Sequence, residues 1–150
     1  MKLLLACTSG GHFSTMMGLR SFWENHERVW VTHEHGDTTS LLNMGEVVHW
    51  IPYQAPRDLT RLVLNIPKTV QLVLQHSPDI VISTGASIAI NFGYTAKILG
   101  KKFIYVESVS RAHQLSITGR LVYPVSNEFY VQWEGLTKQY EHAQFNGYTG

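Results

Sequence analysis

Apolar residues along this chain gather in short runs with almost no polar interruption, and the stretches between the runs repeat apolar residues at helical spacing. The runs predict strands at Leu3 to Cys7, Val29 to Thr32, Val47 to Ile51, Ile80 to Ser83, Phe103 to Glu107 and Glu128 to Val131. Continuous rather than alternating hydrophobicity marks strands buried on both faces, the condition of a parallel sheet covered by helices. Helices are predicted at Ser14 to Trp23, Thr39 to Asn43, Leu59 to Gln75, Ser87 to Leu99, Thr118 to Tyr123 and Glu134 to Tyr140. Strand and helix alternate, so the fold class is α/β, a Rossmann-like parallel sheet flanked by helices.

The helix from Leu59 carries Pro67 near its middle, and a proline there removes a backbone donor and kinks or splits the helix. Its apolar residues nearly encircle it, so it needs cover on more than one side, from the core and a loop or from a membrane or partner. Arg57, Arg61 and Lys68 flank it within reach of anionic headgroups. The stretch from Glu134 to Gly150 either finishes the fold or packs on a partner, and its periodicity does not separate the two.

Composition narrows the partners. The 150 residues suit a single domain over 1–150, and a net charge of +1 speaks against a basic nucleic-acid module. Charged residues make up 15% against roughly 25% in an ordinary soluble domain, a hint of a surface that meets a partner or bilayer. One cysteine, Cys7, cannot form an internal disulfide, which fits a reducing cytosolic setting; its strand position argues against a nucleophile. The run Lys2 to Cys7 is too short to cross a membrane and leads into a Gly-Gly turn, so no transmembrane anchor is expected in this chain.

Three strand ends carry candidate chemistry. Ser9, Gly10, Gly11 and His12 join the first strand to a helix, where free N–H groups and the helix dipole favour an anion such as phosphate, or simply pack helix on strand. Thr84 and Gly85 follow the fourth strand, and ligands in open α/β sheets bind outside such carboxyl ends. Glu107, Ser108 and Arg111 close the fifth, offering a carboxylate base and a cation for phosphate, or an internal Glu–Arg pair. No Walker loop or complete dinucleotide fingerprint is present, and no acidic residue ends the second strand, which counts against a self-sufficient nucleotide-binding domain. His33, Glu34, His35 and Asp37 cluster without a zinc spacing, so no metal site is expected there.

Taken in order, Ser9-Gly10-Gly11-His12, Pro78 to Gly85, Glu107-Ser108 with Arg111, Ser116 to Pro124 and Val131-Gln132-Trp133 resemble one family. It is that of asparagine-linked-glycosylation protein fourteen and its bacterial exopolysaccharide and capsule counterparts of the PssD and CpsF type. The resemblance implies the N-terminal, acceptor-side half of a GT-B glycosyltransferase, with a separate small subunit supplying the donor-binding C-terminal half. It implies a polyprenyl-diphosphate-linked acceptor, a UDP-sugar donor held mainly by that partner, inversion at the anomeric carbon, and neither cofactor nor bound metal. The implied location is peripheral, on the cytoplasmic face of the membrane.

Transfer of this kind requires a base for the acceptor hydroxyl and a positive field for diphosphate. His12 is the candidate base, with Glu107 its competitor or its orienting partner. Ser9, Gly10, Gly11, Thr84, Gly85, Ser108 and Arg111 are expected to hold the acceptor diphosphate. The alternative is a noncatalytic scaffold that recruits and activates a catalytic glycosyltransferase.

Overall fold

The computed structural model describes residues 1–147. Seven parallel strands form one sheet in the order β3-β2-β1-β4-β5-β6-β7, with β1 at Lys2–Ala6, β2 at Glu27–Thr32, β3 at Val48–Trp50, β4 at Ile80–Ser83, β5 at Lys102–Val106, β6 at Glu128–Val131 and β7 at Ala143–Phe145. Seven α-helices connect them: α1 Gly11–Gly18, α2 Arg20–Trp23, α3 Ser40–Asn43, α4 Leu59–Leu64, α5 Ile66–His76, α6 Ile88–Ile98 and α7 Ile117–Val122. The strand order reverses between β1 and β4, and such a switch point opens a crevice at the carboxyl ends of the two strands.

Successive side chains of a strand point to opposite faces, so each strand feeds two cores. Leu4 and Ala6 of β1 pack with Val81, Phe103 and Phe129 against Leu72 and Val73 of α5 and Phe92 of α6. Leu3 and Leu5 turn the other way, joining Ile80, Ile82 and Trp30 under Phe13, Met16 and Trp23. That double burial explains the unbroken apolar runs.

Several boundaries differ from expectation. Helix α1 starts at Gly11, inside the glycine turn, and the predicted Ser14 to Trp23 helix breaks at Leu19, after Gly18. Strand β1 ends at Ala6; Cys7 follows it, fully buried, with its N–H still on Val31 O. Pro67 does split its helix: α4 ends at Leu64, and proline begins α5 in the first turn, where its missing N–H leaves no helical bond unmade. The predicted Glu134 to Tyr140 helix is a 3-10 turn over Glu134–Lys138 that delivers the chain to β7. That edge strand has three residues, too few for a periodicity to show, and among the described residues β6 alone pairs with it. So up to residue 147 the C-terminal stretch finishes the sheet, while residues 148–150 lie outside the described residues.

Candidate functional site

At the switch point the β1 and β4 loops lock together reciprocally. Thr84 Oγ1 donates to His12 O at 2.6 Å, and His12 Nδ1 lies 2.9 Å from Thr84 O. A carbonyl can only accept, so Nδ1 carries a proton, which in the neutral ring leaves the lone pair on Nε2. Gly85 makes room for the ring: it sits at φ +111°, and a Cβ there would fall 2.7 Å from His12 Nδ1. Thr84 is fully buried, and its contribution is this seat for the imidazole.

His12 lines a cleft of about 780 Å³ together with Tyr105, Glu107, Ser108 and Arg111 on one side and Pro56, Arg57, Asp58, Leu59 and Leu62 on the other. Glu107 is 1% exposed and heavily hydrogen-bonded. It accepts from Tyr105 Oη at 3.1 Å, from the N–H groups of Ser108 and Ser116 at 2.9 Å, and from Ser116 Oγ at 2.9 Å. Gly119 of α7 packs so closely that a Cβ would collide with Glu107 Oε2. The carboxylate thus fastens the β5–α7 loop, which carries Ser108 and Arg111, to the end of β5. Burial and the neighbouring Glu107 push the Tyr105 phenol well above its usual range, so Tyr105 stays a neutral hydroxyl.

Ser9, Gly10 and Gly11 fall outside the lining of this cleft. Asp37 Oδ2 accepts the Gly10 N–H at 2.7 Å, and Ser9 Oγ pairs with His33 Nε2 at 3.1 Å. Burial acts to raise the Asp37 carboxyl, yet hydrogen bonds from Gly10, His35 and Thr38 hold it below its ordinary range. The glycine turn therefore already faces an anion of the protein's own. Among the described residues no group of three or more His, Cys, Asp or Glu side chains converges as a metal-ligand set.

The spacing of motifs did not mark the second wall of the cleft. A buried amide network holds it: Gln54 Nε2 donates to Ser87 Oγ at 2.9 Å and Asn91 Oδ1 at 3.1 Å, and Asn65 Nδ2 donates to Gln54 Oε1 at 3.2 Å. These bonds pin the segment before α4, and the α4–α5 junction, onto α6. Pro52, Pro56 and the lone polar residues in an apolar stretch were the available signal.

Both the sequence and the fold are similar to those of known proteins. The family model of the Alg14-like oligosaccharide biosynthesis proteins matches residues 54–149. This chain belongs to the Alg14-like family. The UDP-N-acetylglucosamine transferase subunit ALG14 of Candida albicans is 30% identical over 169 residues, which cover 97% of this chain and 77% of that protein. Two of the solved structures that share the fold show its extent. Acinetobacter baumannii MurG superposes with a TM-score of 0.72 at 15% identity over 88% of this chain and 42% of its own. The UDP-N-acetylglucosamine 2-epimerase of Rickettsia bellii gives 0.76 at 14% identity over 99% and 45%. The Alg14-like chain thus spans less than half of each of these two structures, as one Rossmann-like half of a GT-B architecture.

Proposed function

We propose that this chain is the acceptor-binding subunit of a two-component glycosyltransferase that moves N-acetylglucosamine from its UDP donor to a polyprenyl-diphosphate-linked saccharide. A separate donor-binding subunit supplies the other half of the active site and most of the contacts to the UDP-sugar. The observation that carries the reading is the His12–Thr84 lock, which fixes the tautomer of an imidazole on the cleft wall and leaves Nε2 as proton acceptor.

In the proposed reaction the acceptor hydroxyl gives its proton to His12 Nε2 as its oxygen bonds to the anomeric carbon. The bond from that carbon to the UDP β-phosphate oxygen breaks on the opposite side, which inverts the centre. Glu107 acts as a positioning residue, since its oxygens already accept from Tyr105, Ser108 and Ser116. Ser108 and Arg111 face the acceptor diphosphate, whereas Ser9, Gly10 and Gly11 set the start of the helix that carries His12.

The same reading accounts for the exposed apolar rim. Helix α4 has no buried residue, and its Leu59, Val63 and Leu64 lie open beside Arg61 and Lys68, with Ile117 and Leu121 of α7 on the far side of the cleft. No helix among the described residues is long and apolar enough to cross a membrane. Peripheral docking of this rim on the cytoplasmic leaflet brings the lipid-linked acceptor to the cleft.

The test is sugar transfer from a panel of labelled UDP-sugars to native lipid acceptor, by this chain alone and with the small protein that co-purifies with it. Turnover is expected only in the mixture, greatest with UDP-N-acetylglucosamine, and lost in His12→Ala although the complex still forms. Full turnover by His12→Ala would leave the scaffold reading instead. The size and linkage of the natural product would say whether the acceptor serves exopolysaccharide, capsule or another lipid-linked saccharide.

A further inference from the structure

Arg57 has a backbone that arginine does not favour. Its φ is +65°, in the left-handed region, where a non-glycine side chain costs about 1–3 kcal/mol. The strain is held in place from both directions. Asp58, next in the chain, caps α4 by accepting the Arg61 N–H at 3.0 Å, while Gln54, 2% exposed, is tied into the amide network three residues before. A glycine would adopt this φ without steric strain, so an arginine here points to a use for its side chain.

That side chain lines the cleft with Arg111, each contributed by a different one of the segments that bound it. Among the described residues neither guanidinium enters an ion pair. The two carboxylates of the cleft are committed elsewhere, Asp58 to the α4 cap and Glu107 to its hydroxyl and N–H donors. Two exposed guanidinium groups without a carboxylate partner, lining one cleft, offer an anion a pair of charge-assisted donors. A guanidinium fork binds a phosphate through two parallel N–H···O bonds, so two forks suit two linked phosphates.

We propose that Arg57 and Arg111 form a two-sided clamp on a diphosphate, in which Arg57 reaches the second phosphate. This assignment rests on the acceptor reading above and refines it. It moves diphosphate recognition away from the glycine turn, which Asp37 occupies. The left-handed turn at Arg57 is the device that turns its side chain into the cleft.

The experiment measures binding of geranylgeranyl diphosphate, geranylgeranyl monophosphate and UDP to the full chain with its co-purifying subunit, for the natural sequence, Arg57→Gly, Arg57→Lys and Arg111→Ala. Arg57→Gly removes the guanidinium and the backbone strain together, so its Tm is expected to equal or exceed that of the natural chain. Its affinity for the prenyl diphosphate is expected to fall about 10- to 100-fold. Its preference for diphosphate over monophosphate should collapse toward unity, with Arg57→Lys intermediate. Unchanged diphosphate affinity in Arg57→Gly, with binding intact in the natural chain and weakened in Arg111→Ala, would overturn the role of Arg57 alone. A loss confined to UDP would overturn the acceptor side of the clamp. Absence of prenyl-diphosphate binding in the natural chain would overturn the acceptor reading itself.

Discussion

Replacing Gly85 with alanine tests whether the imidazole of His12 depends on a missing side chain. The new Cβ would stand 2.7 Å from Nδ1 and 2.8 Å from Cε1, so the ring must withdraw by roughly 0.8 Å to restore ordinary contact. It cannot do so and keep its 2.9 Å bond, because the accepting carbonyl belongs to Thr84, the residue before the substitution. The backbone at φ +111° and the displaced ring together cost about 2–3 kcal/mol, a fall in Tm of about 4–12 °C for a chain this long. A misplacement approaching 1 Å costs about 100-fold in turnover at a general base. The assay is a double-mutant cycle with His12→Ala, read by thermal denaturation and by sugar transfer in the complex. With the ring gone, Gly85→Ala should keep only the backbone part of its stability penalty and cause no further loss of turnover. Additive effects in both readouts, or a Gly85→Ala complex that turns over normally, would refute the seat.

Other consequences are as direct. Gly119→Ala pushes against Glu107 and should cost about 2–3 kcal/mol by overpacking and broken hydrogen bonds, seen as a Tm lowered by several degrees; a Tm unchanged would mean that the loop is not fastened there. Burial raises the Cys7 thiol, with Asp37 adding to the effect, so a thiol reagent should label the folded chain only at the rate of unfolding; rapid labelling in native buffer would contradict the buried position. His49 Nε2 and His76 Nε2 are 2.8 Å apart, a contact that needs at least one of them unprotonated. Burial lowers both, helped by Lys68 at His49 and by His49 and Lys2 at His76, so the unfolded chain takes up protons first. Their contribution is complete above the ordinary histidine range and is lost as pH falls through it. Urea midpoints should therefore drop from pH 7.5 to 5.5, and less so in His49→Gln; equal slopes would remove the pair from the account.

The sequence was most legible where burial is double-sided. Runs such as Leu3 to Ala6 and Ile80 to Ser83 face two cores at once, so their hydrophobicity needs no partner information to be read as strand. Pro67 likewise spoke locally, through the donor it lacks. Strand β7 and the break at Leu19 did not, because three residues of edge strand and one distorted turn take their stability from β6 and from packing. At the site, His12, Glu107, Ser108 and Arg111 were visible as strand-end residues, and the cleft brings them together. The roles were less visible. Whether a carboxylate is free or saturated depends on Ser116, nine residues away, and whether a glycine turn is open depends on Asp37, which comes from another loop.

The two walls of the cleft differ in a way that suits a lipid-linked substrate. His12 in the first turn of α1 and Glu107 just after β5 are fixed by hydrogen bonds from Thr84, Tyr105 and Ser116, so the proposed base and its positioning residue are held before any ligand arrives. The facing wall has its polar residues turned inward, Gln54 and Asn65 into the amide network, and its apolar residues Leu59 and Val63 turned outward. In water that arrangement is unfavourable, since apolar surface is exposed while amides are buried. Next to a bilayer it becomes favourable, because the amides are satisfied internally and the apolar side chains are the ones that meet lipid. On the proposed reading the rigid groups serve the chemistry and the exposed apolar groups meet the lipid, while Arg57, on the same cleft, takes the diphosphate.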